Sequence, residues 1–278
     1  MRTTYVYLNG SIVQADQAAI SPFDLGLLRG YAVFDLLRTA GGRPFLLAEH
    51  LKRLRASAFQ LGLKVPATDS EIASAIDELL ARNGHDGEAT VRLVLTGGVS
   101  ADGLSFDPAT PTFYILTQDL HEPPASLYET GGKLITHNHC REIPEAKTTN
   151  YLTMIHNRQR ADAEGALDLL YHDGERVYEA ASASVYFVRA GAIYAPKDDV
   201  LWGTVGALVL RAAEENYRVV FADITLEDAF AADEAFLTST TRGVVPIVLI
   251  DNTVIGDGSV GPVTRTLERA FRAALARG

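Results

Sequence analysis

The chain has 278 residues, 47% of them hydrophobic, and 25 basic against 35 acidic side chains give a net charge of −10. That balance argues against a nucleic-acid partner, and no apolar run approaches the ~20 residues that a membrane helix requires. With a single cysteine, Cys140, no intrachain disulfide can form, so a reducing, cytoplasmic setting is expected.

The length suggests about two domains. The stretch Met1 to Gly10 is too short and too polar for a signal peptide. In chain order, Tyr5 to Leu8 and Ser11 to Val13 flank Asn9-Gly10, the strongest short hairpin signal. A strand over Ala32 to Thr39 ends in a turn at Gly41-Gly42. Leu51, Leu54, Ala58 and Leu61 recur at helical spacing, with Gly62 near their end. A second helix, with Ser70 as its cap, carries Ile72, Ile76, Leu79 and Leu80 and stops at Asn83-Gly84. Strands follow at 89–96 and 112–117. Residues 118–126 are polar, contain two prolines and read as an interdomain linker. Beyond them short strands crowd together: 133–136, 167–171 and 177–180, 184–189 and 192–195, 244–250 and 253–255. Helices are expected at 149–164, 204–216 and 262–276, the last with Pro262 in its first turn. The expectation is a small α+β domain over 1–117 and a larger, barrel-like domain over 127–278.

Three motifs suggest other chemistries and fail on context. Gly256 to Gly261 matches G-x-G-x-x-G, but only 17 residues follow, too few to complete a dinucleotide-binding unit. His137, His139 and Cys140 crowd into four residues and have no second cluster with which to close a tetrahedral zinc site. Ser182 and Ser239 lack the context of a nucleophile elbow.

Six segments, in order, resemble the fold type IV family of pyridoxal-phosphate enzymes: branched-chain aminotransferases, D-amino acid transaminases and aminodeoxychorismate lyases. They are Arg29 to Asp35 with Arg38; His50 to Leu54 with Ser57; Lys147-Thr-Thr-Asn150-Tyr151-Leu; Gly174 with Val177-Tyr-Glu179; Leu201-Trp-Gly203-Thr204-Val205; and Ala232 to Thr241. The resemblance covers nearly the whole chain. It implies a two-domain α+β protein with pyridoxal 5′-phosphate as cofactor, working as a homodimer with the active site at the subunit interface.

The resemblance also assigns roles. Lys147 matches the lysine that forms the Schiff base with the cofactor aldehyde, a task for an amine that can lose its charge near neutral pH. Glu179 matches the acid that keeps the pyridine nitrogen protonated. Arg53 matches the phosphate arginine, helped by the helix start Gly203-Thr204-Val205 and by Thr240-Thr241. Tyr151 matches the tyrosine beside the cofactor's phenolic oxygen. Phe34, Arg29 and Arg92 are expected on the substrate side, with Arg29 entering from the neighbouring subunit.

Specificity is less legible. Lys147 stands three residues before Asn150, a spacing closer to D-amino acid transaminases and lyases than to branched-chain enzymes. The late-strand arginine of the usual D-amino acid enzyme is replaced by Gly97, whereas Arg92 lies where branched-chain enzymes place an arginine. Arg29 and Thr90 replace pocket tyrosines, Gly206 replaces a helix arginine, and Ala180, Ala181 and Ser184 depart from the usual pattern. Transamination of D-amino acids against a 2-oxo acid such as 2-oxoglutarate or pyruvate is the favoured expectation. An L-branched-chain aminotransferase is the alternative, followed by an aminodeoxychorismate lyase.

Overall fold

A computed structural model describes residues 4–278; Met1 to Thr3, part of the stretch considered above as a leader, lie outside the described residues. The chain divides into two compact units, one of residues 1–121 with 146–150 and 278, the other of 122–145 with 151–277.

The first unit runs β1 (Tyr5–Leu8), β2 (Ser11–Gln14), α1 (Leu25–Arg29), β3 (Ala32–Ala40), β4 (Arg43–Pro44), α2 (Leu47–Gln60), α3 (Asp69–Asn83), β5 (Ala89–Thr96) and β6 (Thr112–Asp119). Its six strands form one antiparallel sheet in the order β2-β1-β6-β5-β3-β4. The Asn9-Gly10 turn places both residues at positive φ, 45° and 93°, the geometry in which glycine costs least. Helices α2 and α3 bury Leu51, Leu54, Ala58, Ile72, Ile76 and Leu79 against Val33, Leu37, Val91, Leu93 and Ile115 of the sheet. Thr68, not Ser70, caps α3. Its hydroxyl accepts from the Glu71 amide while Glu71 accepts from the Thr68 amide, a reciprocal pair that Ser70, already inside the helix, cannot make.

The second unit contains α4 (Ser126–Thr130), β7 (Gly132–Asn138), α5 (Leu152–His156), α6 (Arg158–Ala163), β8 (Asp168–His172), β9 (Val177–Ala180), β10 (Ser184–Arg189), β11 (Ala192–Pro196), α7 (Thr204–Ala213), β12 (Val219–Ala222), α8 (Leu226–Phe230), β13 (Glu234–Ser239), β14 (Gly243–Ile250), β15 (Thr253–Val254) and α9 (Pro262–Arg277). Its sheet follows the order β12-β11-β10-β13-β14-β7-β8-β9, with β15 on β14. The β7 pairings with β8 and β14 and the β11–β12 pairing are parallel. Strand β9 curls back to β10 and β11, and Ala180 bridges Ala183, so the sheet closes on itself in the manner of a half-barrel. Leu134, Leu170, Val185, Leu237, Val245 and Ile250 fill its interior.

Several boundaries differ from expectation for identifiable reasons. Strand β6 extends through Gln118 and Asp119, and segment 146–150 packs with the first unit although it lies inside the 127–278 range. The helix expected at 149–164 is two short helices. The Thr149 amide is taken by a hydrogen bond to the Ala32 carbonyl, and at Asn157 the side chain donates to the Thr153 carbonyl as one helix gives way to the next. Helix α7 stops at Ala213, where the Asn216 and Tyr217 amides close a turn on its carbonyl.

The G-x-G-x-x-G stretch is a turn before α9. A Cβ on Gly256 would lie 2.2 Å from the Asp233 carbonyl oxygen, and one on Gly261 would overlap the Glu234 side chain. The Glu234 carboxylate, 8% exposed, accepts from the Val263 amide (3.0 Å) and from the Thr264 amide (2.8 Å) and hydroxyl (2.7 Å). The helix start therefore already has its anion, built into the chain. Replacing Glu234 with Ala leaves these buried donors unpaired and should cost about 2 kcal/mol of stability. Urea denaturation of E234A against the parent checks this.

Candidate functional site

In the first unit the geometry begins with a sheet edge. Strand β3 pairs with β5 along one side, but β4 covers only its far end at Thr39 and Ala40. The uncovered stretch, Ala32 to Phe34, is a row of backbone groups that needs partners. Segment 146–150 supplies them: Phe34 N–H donates to the Lys147 carbonyl (2.9 Å), Thr149 N–H donates to the Ala32 carbonyl (3.0 Å), and Val33 bridges Thr148. The Lys147 amide turns the other way and donates to Ser57 Oγ of α2 (3.0 Å), a hydroxyl with no exposure. The Lys147 backbone is thus fixed from two sides.

The side chains around it follow from strand alternation. Phe34 and Arg92 share the sheet face opposite α2. Lys147 Nζ lies 4.7 Å from the Phe34 ring centroid and the Arg92 guanidinium 5.1 Å from it, so one aromatic ring carries two cations. Asp35, the next residue, points to the helix face and is wholly buried. Arg53 embraces its carboxylate through Nε and Nη2, both at 2.8 Å, and His50 Nδ1 lies 2.7 Å from it. Burial pushes the Asp35 carboxyl up, but the charge and hydrogen bonds of Arg53 and His50 outweigh this and hold it well below the usual carboxylate range.

The second unit carries another set of groups. Glu179 lies on β9, nearly buried, and accepts from Arg141 Nε (2.6 Å) and from the Leu201 amide (3.3 Å). Gly203 is the N-cap of α7, which has no side-chain cap; its first intrahelical bond runs from the Ala207 amide to the Gly203 carbonyl. The amides of Val205 and Gly206 precede that bond and point out of the helix start. A Cβ on Gly203 would lie 2.7 Å from Ser184 Oγ, and one on Gly206 2.2 Å from the Tyr186 hydroxyl, so both glycines are demanded by the close seat of α7 on β10. Thr240 and Thr241 form the β13–β14 turn. Arg242, beside them, bonds Ser239 Oγ, Ser182 Oγ and Asp168. Tyr151 precedes α5 as its N-cap.

The structure therefore gathers Phe34, Arg53, Arg92 and Lys147 around β3 in one unit, and places Tyr151, Glu179, Gly203, Thr204, Val205, Thr240 and Thr241 in the other. Arg29 ends α1, donates to the Leu28 carbonyl and lies beside Gly103. Sequence reasoning assigned no role to Asp35, His50, Ser57, Arg141 or Arg242. For His50 and Ser57 a signal was present: with Arg53 they stand at spacings of three and four along the helix, which puts all three on one face. His137 of β7 and His139 just past its end both lie against Tyr171, His139 edge-on to its ring at 4.7 Å.

A six-stranded antiparallel unit and a curled nine-stranded one make up the fold of the type IV aminotransferases. The model for class IV amino-transferases matches residues 32–250, and the chain belongs to that family, whose members use pyridoxal phosphate. A protein of Methanocaldococcus jannaschii, provisionally named a branched-chain-amino-acid aminotransferase, is 34% identical over 96% of this chain and 95% of its own. The D-alanine aminotransferase of Listeria monocytogenes is 30% identical over 96% of this chain and 94% of its own. Among solved structures, the T.th. branched-chain amino acid aminotransferase with pyridoxamine 5′-phosphate superposes with a TM-score of 0.88 at 27% identity, covering 99% of this chain and 95% of that one.

Removing the charge of Asp35 leaves Arg53 beside a neutral amide in the protein interior. Asp35→Asn should destabilise the fold by about 3 kcal/mol at neutral pH. A carboxyl whose pKa falls on folding stabilises the protein above its unfolded value of about 4, and that share is lost as the pH drops further. Urea denaturation at several pH values should therefore show the gap between parent and D35N narrowing below about pH 4.

Proposed function

We propose that this chain catalyses pyridoxal-phosphate-dependent transamination between an amino acid, D-amino acids preferred, and a 2-oxo acid such as 2-oxoglutarate or pyruvate. The observation that carries the proposal is the fixing of Lys147: its backbone is bonded to both Phe34 and Ser57 while its amine lies over the Phe34 ring. A lysine with an ordinary surface role has no need of a backbone held from two sides.

The donor set suits the cofactor. Arg53 offers a guanidinium already oriented by Asp35, and α7 offers a helix start without a side-chain cap; both fit a phosphate. The Thr240-Thr241 turn adds hydroxyls. Glu179, braced by Arg141, offers a carboxylate to hold a proton at the ring nitrogen, and Tyr151 faces the phenolic oxygen in this reading. When bound, pyridoxal phosphate supplies an aldehyde that takes up the amino group and a ring that withdraws electrons from the substrate Cα. Lys147 would hold the cofactor through its aldehyde, and its Nζ is the base that would take up and return the proton at the substrate Cα. Arg92, with Phe34 beneath it, and Arg29 bind the substrate carboxylate as guanidinium forks. Arg29 would enter from a second copy of the chain. The exposed Phe23 and Leu27 near it, 63% and 70% accessible, support a homodimer that covers this face. The single cysteine, Cys140, supports a cytoplasmic setting.

D-amino acid preference rests on the short Lys147–Asn150 spacing and on likeness to the Listeria D-alanine enzyme. The position of Arg92 and the likeness to the Methanocaldococcus protein favour a second reading, an L-branched-chain aminotransferase.

Half-reactions separate the two. Loaded with pyridoxal phosphate, the protein should lose the absorbance band of its bound cofactor on addition of D-alanine. A protein that responds to L-leucine and ignores D-alanine is a branched-chain enzyme instead. Lys147→Ala should lower turnover by at least about a thousandfold, and full activity in that variant would end the proposal.

A further inference from the structure

Helix α2 presents His50, Arg53 and Ser57 on one face, toward β3 and the Lys147 segment. The proposed reaction gives His50 and Ser57 no chemistry of their own. His50 is 1% exposed and Ser57 is fully buried, as is Asp35, so none of these three is available to a ligand. Buried polar groups of this kind are costly unless their bonds serve a structural or functional geometry.

The bonds define that geometry. Asp35 occupies the Nε–Nη2 edge of the Arg53 guanidinium, and Nη2 also lies 3.3 Å from His50 Nδ1. Among the described residues nothing hydrogen-bonds to Nη1, so the fork is oriented with that corner turned away from the carboxylate. One helical turn further along, Ser57 Oγ accepts from the Lys147 amide. Arg53 and Ser57 are four residues apart, an axial rise of about 6 Å, so a single rigid helix spaces the guanidinium from the lysine.

We propose that Asp35, His50 and Ser57 are positioning residues. Asp35 and His50 act through Arg53 on the cofactor's phosphate, and Ser57 acts through the Lys147 backbone on its amine. The inference rests on the roles given above to Arg53 and Lys147. It predicts two separable effects. Loss of Asp35 or His50 weakens recognition of the phosphate and leaves the ring and aldehyde untouched. Loss of the Ser57 hydroxyl leaves phosphate recognition intact and slows capture of the aldehyde by Lys147.

The test uses the full chain freed of cofactor and titrated with pyridoxal 5′-phosphate and, separately, with unphosphorylated pyridoxal, following the absorbance of the bound form. The ratio of the two affinities isolates the phosphate, a readout that general destabilisation does not move selectively. Arg53→Ala should abolish the preference for the phosphorylated form. Asp35→Asn and His50→Gln should each reduce it about tenfold or more, the scale of a lost hydrogen bond to a charged group, with pyridoxal affinity unchanged. Because Asp35→Asn strains the fold, His50→Gln decides. Ser57→Ala should keep the parent's preference and lower the rate at which the absorbance appears with either ligand about tenfold. If Arg53→Ala loses the preference while His50→Gln keeps it, or loses affinity for both ligands alike, the role of the Asp35–His50 pair is overturned. A parent-like rate in Ser57→Ala overturns that of Ser57. If Arg53→Ala itself keeps the preference, the phosphate role of Arg53 fails and takes this inference with it.

Discussion

The buried ion pair between Asp35 and Arg53 is the constraint around which the first unit is arranged. A carboxylate in the sheet interior cannot remain ionised without a partner, and here the partner comes from the helix packed over it. The pair locks α2 to β3 at one angular setting. Ser57 therefore arrives at the Lys147 amide, while Phe34, on the reverse side of the strand, arrives beneath the lysine amine. Hydrophobic packing of Leu51 and Leu54 supplies the driving force for the contact, but packing tolerates small slides that a bidentate guanidinium–carboxylate pair does not.

The second unit solves a related problem with different means. Its helix α7 approaches the sheet so closely that Gly203 and Gly206 leave no room for a side chain, with the Ser184 and Tyr186 hydroxyls directly below. At Gly206 the Tyr186 hydroxyl fills the space that a side chain would need. Arg92 lies over Phe34 in the first unit, and Arg29 lies beside Gly103.

How much of this was legible in the sequence depends on range. The Asn9-Gly10 hairpin, the apolar stripe of α2 and the β9 strand after Asp173-Gly174 are local patterns, and they stand where the periodicity put them. The five-residue helices α1, α4 and α8 are too short for a 3.6-residue period to show. The late start of α5 reflects the sheet edge that takes the Thr149 amide, and the break at Asn157 a side-chain bond, neither visible in local propensity. Within the candidate site the motif residues could be named, but their partners could not. Asp35 and Arg53 are 18 residues apart, and Arg141 and Glu179 are 38 apart. Such pairings arise from the topology of the sheet, which a single sequence does not print.

The identity of the lysine that meets the cofactor decides the rest. Incubating the protein with pyridoxal phosphate, reducing with borohydride and mapping peptides by mass should find the reduced phosphopyridoxyl group on the peptide that contains Lys147 and on no other. A label carried by Lys52, Lys133 or Lys197 with Lys147 unmodified would contradict it.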